Sequence, residues 1–108
     1  MNSRNIIVDE FGINFVMSTG FDMSQNTSLS VEFLKPDCMT RLSVPAVLGA
    51  NDLQTTLGTF SANTWAFYRF VDGDLDQTGL WKAQLIYEDA TPAKLFSSIV
   101  EFEVEDKL

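Results

Sequence analysis

Apolar residues in this chain recur at every second position, in short runs separated by turn residues. The clearest run is residues 27–35. There Leu29, Val31 and Phe33 alternate with Ser28, Ser30 and Glu32. Successive side chains of an extended strand point to opposite faces, so a period of two marks a strand with one face in a core. Spacings of three and four, which would mark an amphipathic helix, are weak throughout. The same alternation places Trp81, Ala83, Leu85 and Tyr87 inward over 80–87. It places Val100, Phe102 and Val104 inward, and Glu101 and Glu103 outward, over 95–104. Shorter extended stretches are expected at 5–9, 13–17, 40–47, 53–60 and 63–71. In 40–47, Leu42 and Val44 face in, and Pro45, with no amide donor, marks an edge or a strand end. Gly58, within 53–60, suggests a bulge or a close backbone approach. Short strands at such intervals imply an all-β fold of about seven strands, two antiparallel sheets packed face to face as a β-sandwich.

Turn chemistry separates the runs. Residues 18–26 are turn-rich, and Pro36-Asp37 and Gly49-Ala50-Asn51-Asp52 are turns. Residues 72–79 form a polar loop, and Pro92 lies in the loop 88–94. With 108 residues and no linker, repeat or low-complexity tract, residues 1–108 are expected to form a single domain. Residues 1–9, with the β-branched run Ile6, Ile7, Val8, form either an N-terminal arm whose edge pairs with a neighbour or an ordinary first strand. Only those three apolar residues precede Asp9 and Glu10, too few for a secretory signal. No apolar run approaches the ~18 residues of a membrane span.

Charge and residue usage exclude several functions. Fifteen acids against seven bases give a net charge of −8. A phosphate backbone or an anionic membrane surface would be repelled, so neither nucleic acid nor membrane is an expected partner. Histidine is absent and Cys38 is the single cysteine. Ser-His-Asp and Cys-His catalysis, histidine metal sites and an intrachain disulfide are therefore excluded. Cys38 is expected as a turn residue rather than a nucleophile, which would need a base. Asp72, Asp74 and Asp76 have the spacing that begins a calcium loop. However, Gln77 and Ala83 stand where an EF-hand needs glycine and glutamate, and a strand corner capped by aspartates is the expectation. Glu101 and Glu103 share an outward face and are expected to be solvated rather than a glycosidase pair. No catalytic residue, metal or cofactor is assigned, and the chain is not expected to be an enzyme.

The densest aromatic run is Trp65, Phe67, Tyr68 and Phe70. Tyr68 and Phe70, with Trp81 and Phe102, are the expected core anchors, and the indole N–H of Trp81 needs a partner. Trp65, Phe67 and Arg69 then point outward. Exposed aromatics beside an arginine match the chemistry of interface anchors, unless both faces of the strand are covered within the monomer. Leu80, Ile86 and Ile99 are further outward apolar residues. With Ile6, Ile7 and Val8 as an edge, Trp65, Phe67 and Arg69 make the candidate partner interface. An exposed Trp65 would also serve as a sugar platform.

Three segments carry a resemblance. They are Gly20-Phe21-Asp22-Met23-Ser24 leading into 27–37, residues 70–83 (Phe70-Val71-Asp72-Gly73-Asp74 through Gly79-Leu80-Trp81-Lys82-Ala83), and Phe102-Glu103-Val104. Their pattern of polar loop, Gly-x-Trp, alternating strand, loop and Phe-x-Val resembles the small immunoglobulin-like domains of tailed-bacteriophage structural proteins, of the upper-baseplate and tail-associated type. The resemblance implies an immunoglobulin-like sandwich in the virion, assembled in the host cytoplasm. It would dock, in multiple symmetric copies, on other virion proteins of tail, baseplate or neck. Such modules often precede a fibre or receptor-binding domain. This chain stops at Leu108, so the expectation is an adaptor or attachment module, with a capsid decoration protein as the alternative and a sugar-binding host-recognition module as a further one.

Overall fold

A computed structural model describes residues 5–56 and 58–108. The fold is all-β, and no helix occurs among these residues. Eleven short strands are present among them: β1 (Ile6–Ile7), β2 (Asn14–Ser18), β3 (Asn26–Leu34), β4 (Arg41–Pro45), β5 (Val47–Leu48), β6 (Leu53–Thr55), β7 (Gly58–Phe60), β8 (Trp65–Arg69), β9 (Gly79–Asp89), β10 (Lys94–Phe96) and β11 (Val100–Glu105). The larger sheet runs β1-β11-β9-β3-β4, with β10 on the end of β9. The smaller runs β2-β8-β5, and β6 and β7 form a separate hairpin.

Several expected strands are divided, each for a visible reason. The stretch 40–47 changes sheets. Leu42 and Val44 pair with β3, and after Pro45 the chain crosses to the smaller sheet, where Val47 pairs with Phe67. Pro45 falls at a position whose amide would face the free edge of β4, so the missing N–H costs no ladder bond. Residues 53–60 fold back on themselves, and Gly58, with φ of 126°, starts the return strand. The stretch 95–104 is interrupted at Ser97. Leu95 pairs with Tyr87 and Val100 with Ala83, so one extra residue is inserted on this side of β9. That insertion switches parity, so odd-numbered Leu95 and even-numbered Phe102 and Val104 share a face. Val100 is on that face but stays exposed, against the expectation that it faces the core. The larger sheet is mixed rather than purely antiparallel, because β1 runs parallel to β11.

The inner faces of the two larger sheets share one core. Leu29, Val31, Phe33, Trp81, Ala83, Leu85 and Tyr87 are buried, as the alternation requires. Phe15, from the smaller sheet, meets Phe33 at 5.4 Å and Phe102 at 4.9 Å. Tyr68 and Phe70 pack here as well, against Phe33 at 6.1 and 5.4 Å. The indole N–H of Trp81 donates to the Gln77 carbonyl at 3.0 Å. Two fully buried residues lie outside the strands, where the sequence suggested polar turns: Met23 and Leu75. The backbone holds both loops inward. Met23 N–H donates to the Asn63 carbonyl at 2.7 Å, and Asp9 N–H donates to the Leu75 carbonyl at 2.7 Å.

The end of the core beneath Trp81 is closed by polar contacts between the β3–β4 turn and the loop 72–79. Lys35, itself buried, donates to Asp76 at 2.7 Å and lies 5.6 Å from the Trp81 ring centre. Gln77 donates to Asp37 at 3.1 Å. Gly79 has φ of +125°, and a Cβ there would stand 2.9 Å from Pro36 Cβ.

If Leu75 is a core residue despite its polar neighbours, Leu75→Ala should cost about 2–5 kcal/mol in urea unfolding. Leu80→Ala, on the outer face of the same sheet, should cost less than about 1 kcal/mol. Equal, small losses for both would show that the loop 72–79 does not seal the core.

Candidate partner interface

The outward residues of β8 meet their neighbours in register. Trp65 is opposite Ser18, Phe67 opposite Val16 and Arg69 opposite Asn14 on β2. On the other side Phe67 is opposite Val47 of β5. Directly opposite residues project to the same face, so Val16, Phe67 and Val47 form one apolar row across the smaller sheet. Phe67 is half-buried between them. Val16 is 37% exposed and Val47 55%.

Trp65 does not belong to that exposed surface. Only 9% of it is accessible. Gly49 lies against the indole so closely that a Cβ would come within 2.0 Å of Cε2. The indole N–H donates to the Asn51 carbonyl at 2.8 Å. The turn 49–52 therefore covers Trp65 from outside, and both faces of β8 are occupied at this position. The interface anchor expected at Trp65 is a buried packing residue, which contacts Phe67 at 5.9 Å between ring centres. The sugar platform falls with it, since Trp81 is also buried. The close approach explains the glycine in the turn 49–52, but nothing local in the sequence ties Gly49 to a tryptophan sixteen positions later.

Arg69 is exposed and lies over Gly12. Among the described residues it makes no ion pair. It is the single charge among the twelve residues of β2, β8 and β5. The acids that give the chain its charge of −8 are carried elsewhere.

Ile6, Ile7 and Val8 are remote from this row. Ile6 and Ile7 pair with Val104 and Glu105, and Val8 N–H donates to the Glu105 carbonyl at 2.9 Å. They form a first strand at home, on the edge of the larger sheet, and Ile6 and Val8 pack on the core. The part of the expected arm at residues 1–4 lies outside the described residues. Leu80 is exposed and Ile86 half-buried on β9 of the larger sheet, and Ile99 is exposed in the link between β10 and β11. Ile86 is paired with Phe96, whose exposure the sequence reading missed.

Two of the loop aspartates are tied into the fold. Asp74 accepts from the Tyr68 hydroxyl at 2.6 Å and from the Val71 amide at 2.9 Å, and Asp76 binds Lys35. Among the described residues no three metal-ligating side chains gather. Asp37 accepts from the Thr40 hydroxyl and from the Thr40 and Met39 amides, which hold its carboxyl well below the usual range. Cys38 stands exposed in that turn with φ of 61°. Glu101 and Glu103 are exposed on the outer face, opposite Lys82 and Leu80. A hollow of about 350 Å³ on that face has Glu32 as its one acid, and Arg41 holds it at 2.9 Å.

No protein-family model matches this chain, and neither a curated protein nor a solved structure matches it significantly.

Gly49→Ala should displace the Trp65 indole, lower stability by about 1–3 kcal/mol and red-shift the tryptophan emission. Unchanged emission and stability would mean that Trp65 is not packed on that turn. Burial and the bond to Asp74 push the Tyr68 hydroxyl up to about 12. The Tyr87 hydroxyl is raised too, first through its hydrogen bond to Asp89. A folded value above the unfolded one, near 10, means stability is complete below about pH 10 and is lost as pH rises through 10 to 12. Tyr68→Phe should flatten that alkaline loss. A tyrosinate absorbance titration in which both tyrosines ionise near pH 10 would contradict it.

Proposed function

We propose that this chain is an immunoglobulin-like β-sandwich and a structural module of a tailed-phage virion. It serves as an adaptor or attachment part of tail, baseplate or neck, and acts through protein–protein contacts. The strand order supports the fold. With β6, β7 and β10 left unlettered, the smaller sheet β2-β8-β5 takes the B-E-D order, and β11-β9-β3-β4 the G-F-C-C′ order of a variable-type domain. The chain departs from antibody domains in having one cysteine, hence no inter-sheet disulfide, and in carrying its core tryptophan on β9.

The resemblance to phage modules gains support from where its three segments meet. Phe33 of the first, Phe70 and Trp81 of the second and Phe102 of the third share one cluster, with ring centres 5.4 to 6.4 Å apart. The aromatic positions of the pattern thus share the core, while Asp72, Leu80 and Glu103 are exposed. The observation that carries the docking role is the row Val16–Phe67–Val47. It keeps apolar surface on a nearly uncharged sheet of a strongly acidic protein, a contrast suited to a partner contact.

Immunogold electron microscopy of purified virions, with an antibody against the domain, tests this. Gold at the tail, baseplate or neck is expected. Gold spread over the head would replace the adaptor with a capsid decoration protein, and virions free of gold would end the virion reading.

A further inference from the structure

The hydrogen bonding of β2 leaves one of its edges open. Thr19 N–H donates to the Thr64 carbonyl, and Phe70 N–H to the Ile13 carbonyl. With the register of β2 on β8, odd-numbered residues therefore direct their backbone groups at β8. The N–H and C=O groups of Asn14, Val16 and Ser18 point the other way, and all three residues are exposed. No strand among the described residues pairs there.

The other edges are short or blunted. β1 and β5 have two residues each. On β4 the residues facing the free edge include Arg41 and Pro45, a charge and a missing donor. β2 has five residues and neither device.

We infer that β2 is a self-association edge, whose occupant is β2 of a second copy of this chain. Antiparallel pairing about a two-fold axis at Val16 sets Val16 opposite its own mate and Asn14 opposite Ser18. Every free donor in the strand then meets a free acceptor. The two smaller sheets become one of six strands, and the apolar row continues unbroken as Val47, Phe67, Val16 and then the same three in reverse. No like charges meet at the contact itself. The contact brings together two uncharged strands, and the two Arg69 side chains start about 20 Å apart, beyond the screening length. This goes beyond the virion role and stands without it, since it concerns the isolated chain.

Sedimentation equilibrium of the purified protein tests it. The contact is small, so a dissociation constant on the order of 0.1 mM is expected. Association should tighten as salt is raised, because each copy carries −8. Val16→Lys should weaken it at least about tenfold by placing like charges opposite each other, with an unchanged melting temperature. Val47→Lys, two strands from the seam, should leave it intact. If Val16→Lys destabilises the monomer, cross-linking gives the answer instead. In a Cys38→Ser background, Val16→Cys should oxidise to a covalent dimer, since directly paired Cα atoms lie about 5.5 Å apart. A protein monomeric to about 1 mM, the absence of that cross-link, or equal loss with Val47→Lys would overturn the edge.

Discussion

Phe33 has five aromatic rings around it, and most of the fold can be traced from them. Phe15, Tyr68, Phe70, Trp81 and Phe102 all have centres within 6.3 Å of its own. They come from four strands and one loop start, and from both of the larger sheets. Each such pair adds roughly 0.5–1.5 kcal/mol beyond simple burial, and large rings leave few ways to fill the gap between two sheets. The small domain has no disulfide to hold the sheets together, so their spacing rests on this packing. The closing contacts follow from it. Lys35 lies across Trp81 and reaches Asp76, while Met23 and Leu75 join the same buried core from loops.

A period of two carries much of this information, which is why the inward residues of β3 and β9 were legible. Each of those strands is long and flanked by partners on both sides. Pro45 was legible as an edge for the same reason: a residue without a donor has few places in a sheet. Where the sequence misled, a long-range contact decided the outcome. Trp65 has the alternation of an outward residue and does point away from the shared core, yet the turn around Gly49 covers it. Leu75 sits among aspartates, but the loop bends inward and its aspartates bond to Tyr68, Val71 and Lys35. The break at Ser97 was illegible because the extra residue shows itself only against the register of β9. There Ser97 accepts from the Leu85 amide through its hydroxyl and donates its own amide to the Leu85 carbonyl.

The candidate interface was half legible. Phe67 and Arg69 could be assigned outward from β8 alone. Val16 and Val47 could not be joined to them, because their alignment depends on strands separated by roughly fifty and twenty residues of chain. Ile6, Ile7 and Val8 had the composition of a pairing edge, and they do pair, but with β11 of their own domain.

The distribution of charge links the edge and the face. Net charge of −8 keeps copies of the molecule apart at long range, and a strongly acidic protein rarely needs to guard every strand edge individually. Here the guard is uneven. The larger sheet sets glutamates on the outward side of β11 and a proline at the margin of β4, while the smaller sheet has one charge and a five-residue strand paired along one edge alone among the described residues. An edge left open beside a continuous apolar row is a template for another strand, because its backbone groups have no strand partner and the apolar side chains favour burial. Long-range repulsion and short-range complementarity therefore act at different distances on the same surface. In the proposed dimer, the first opposes association at long range, and the second acts where one strand aligns with Asn14, Val16 and Ser18 of the other.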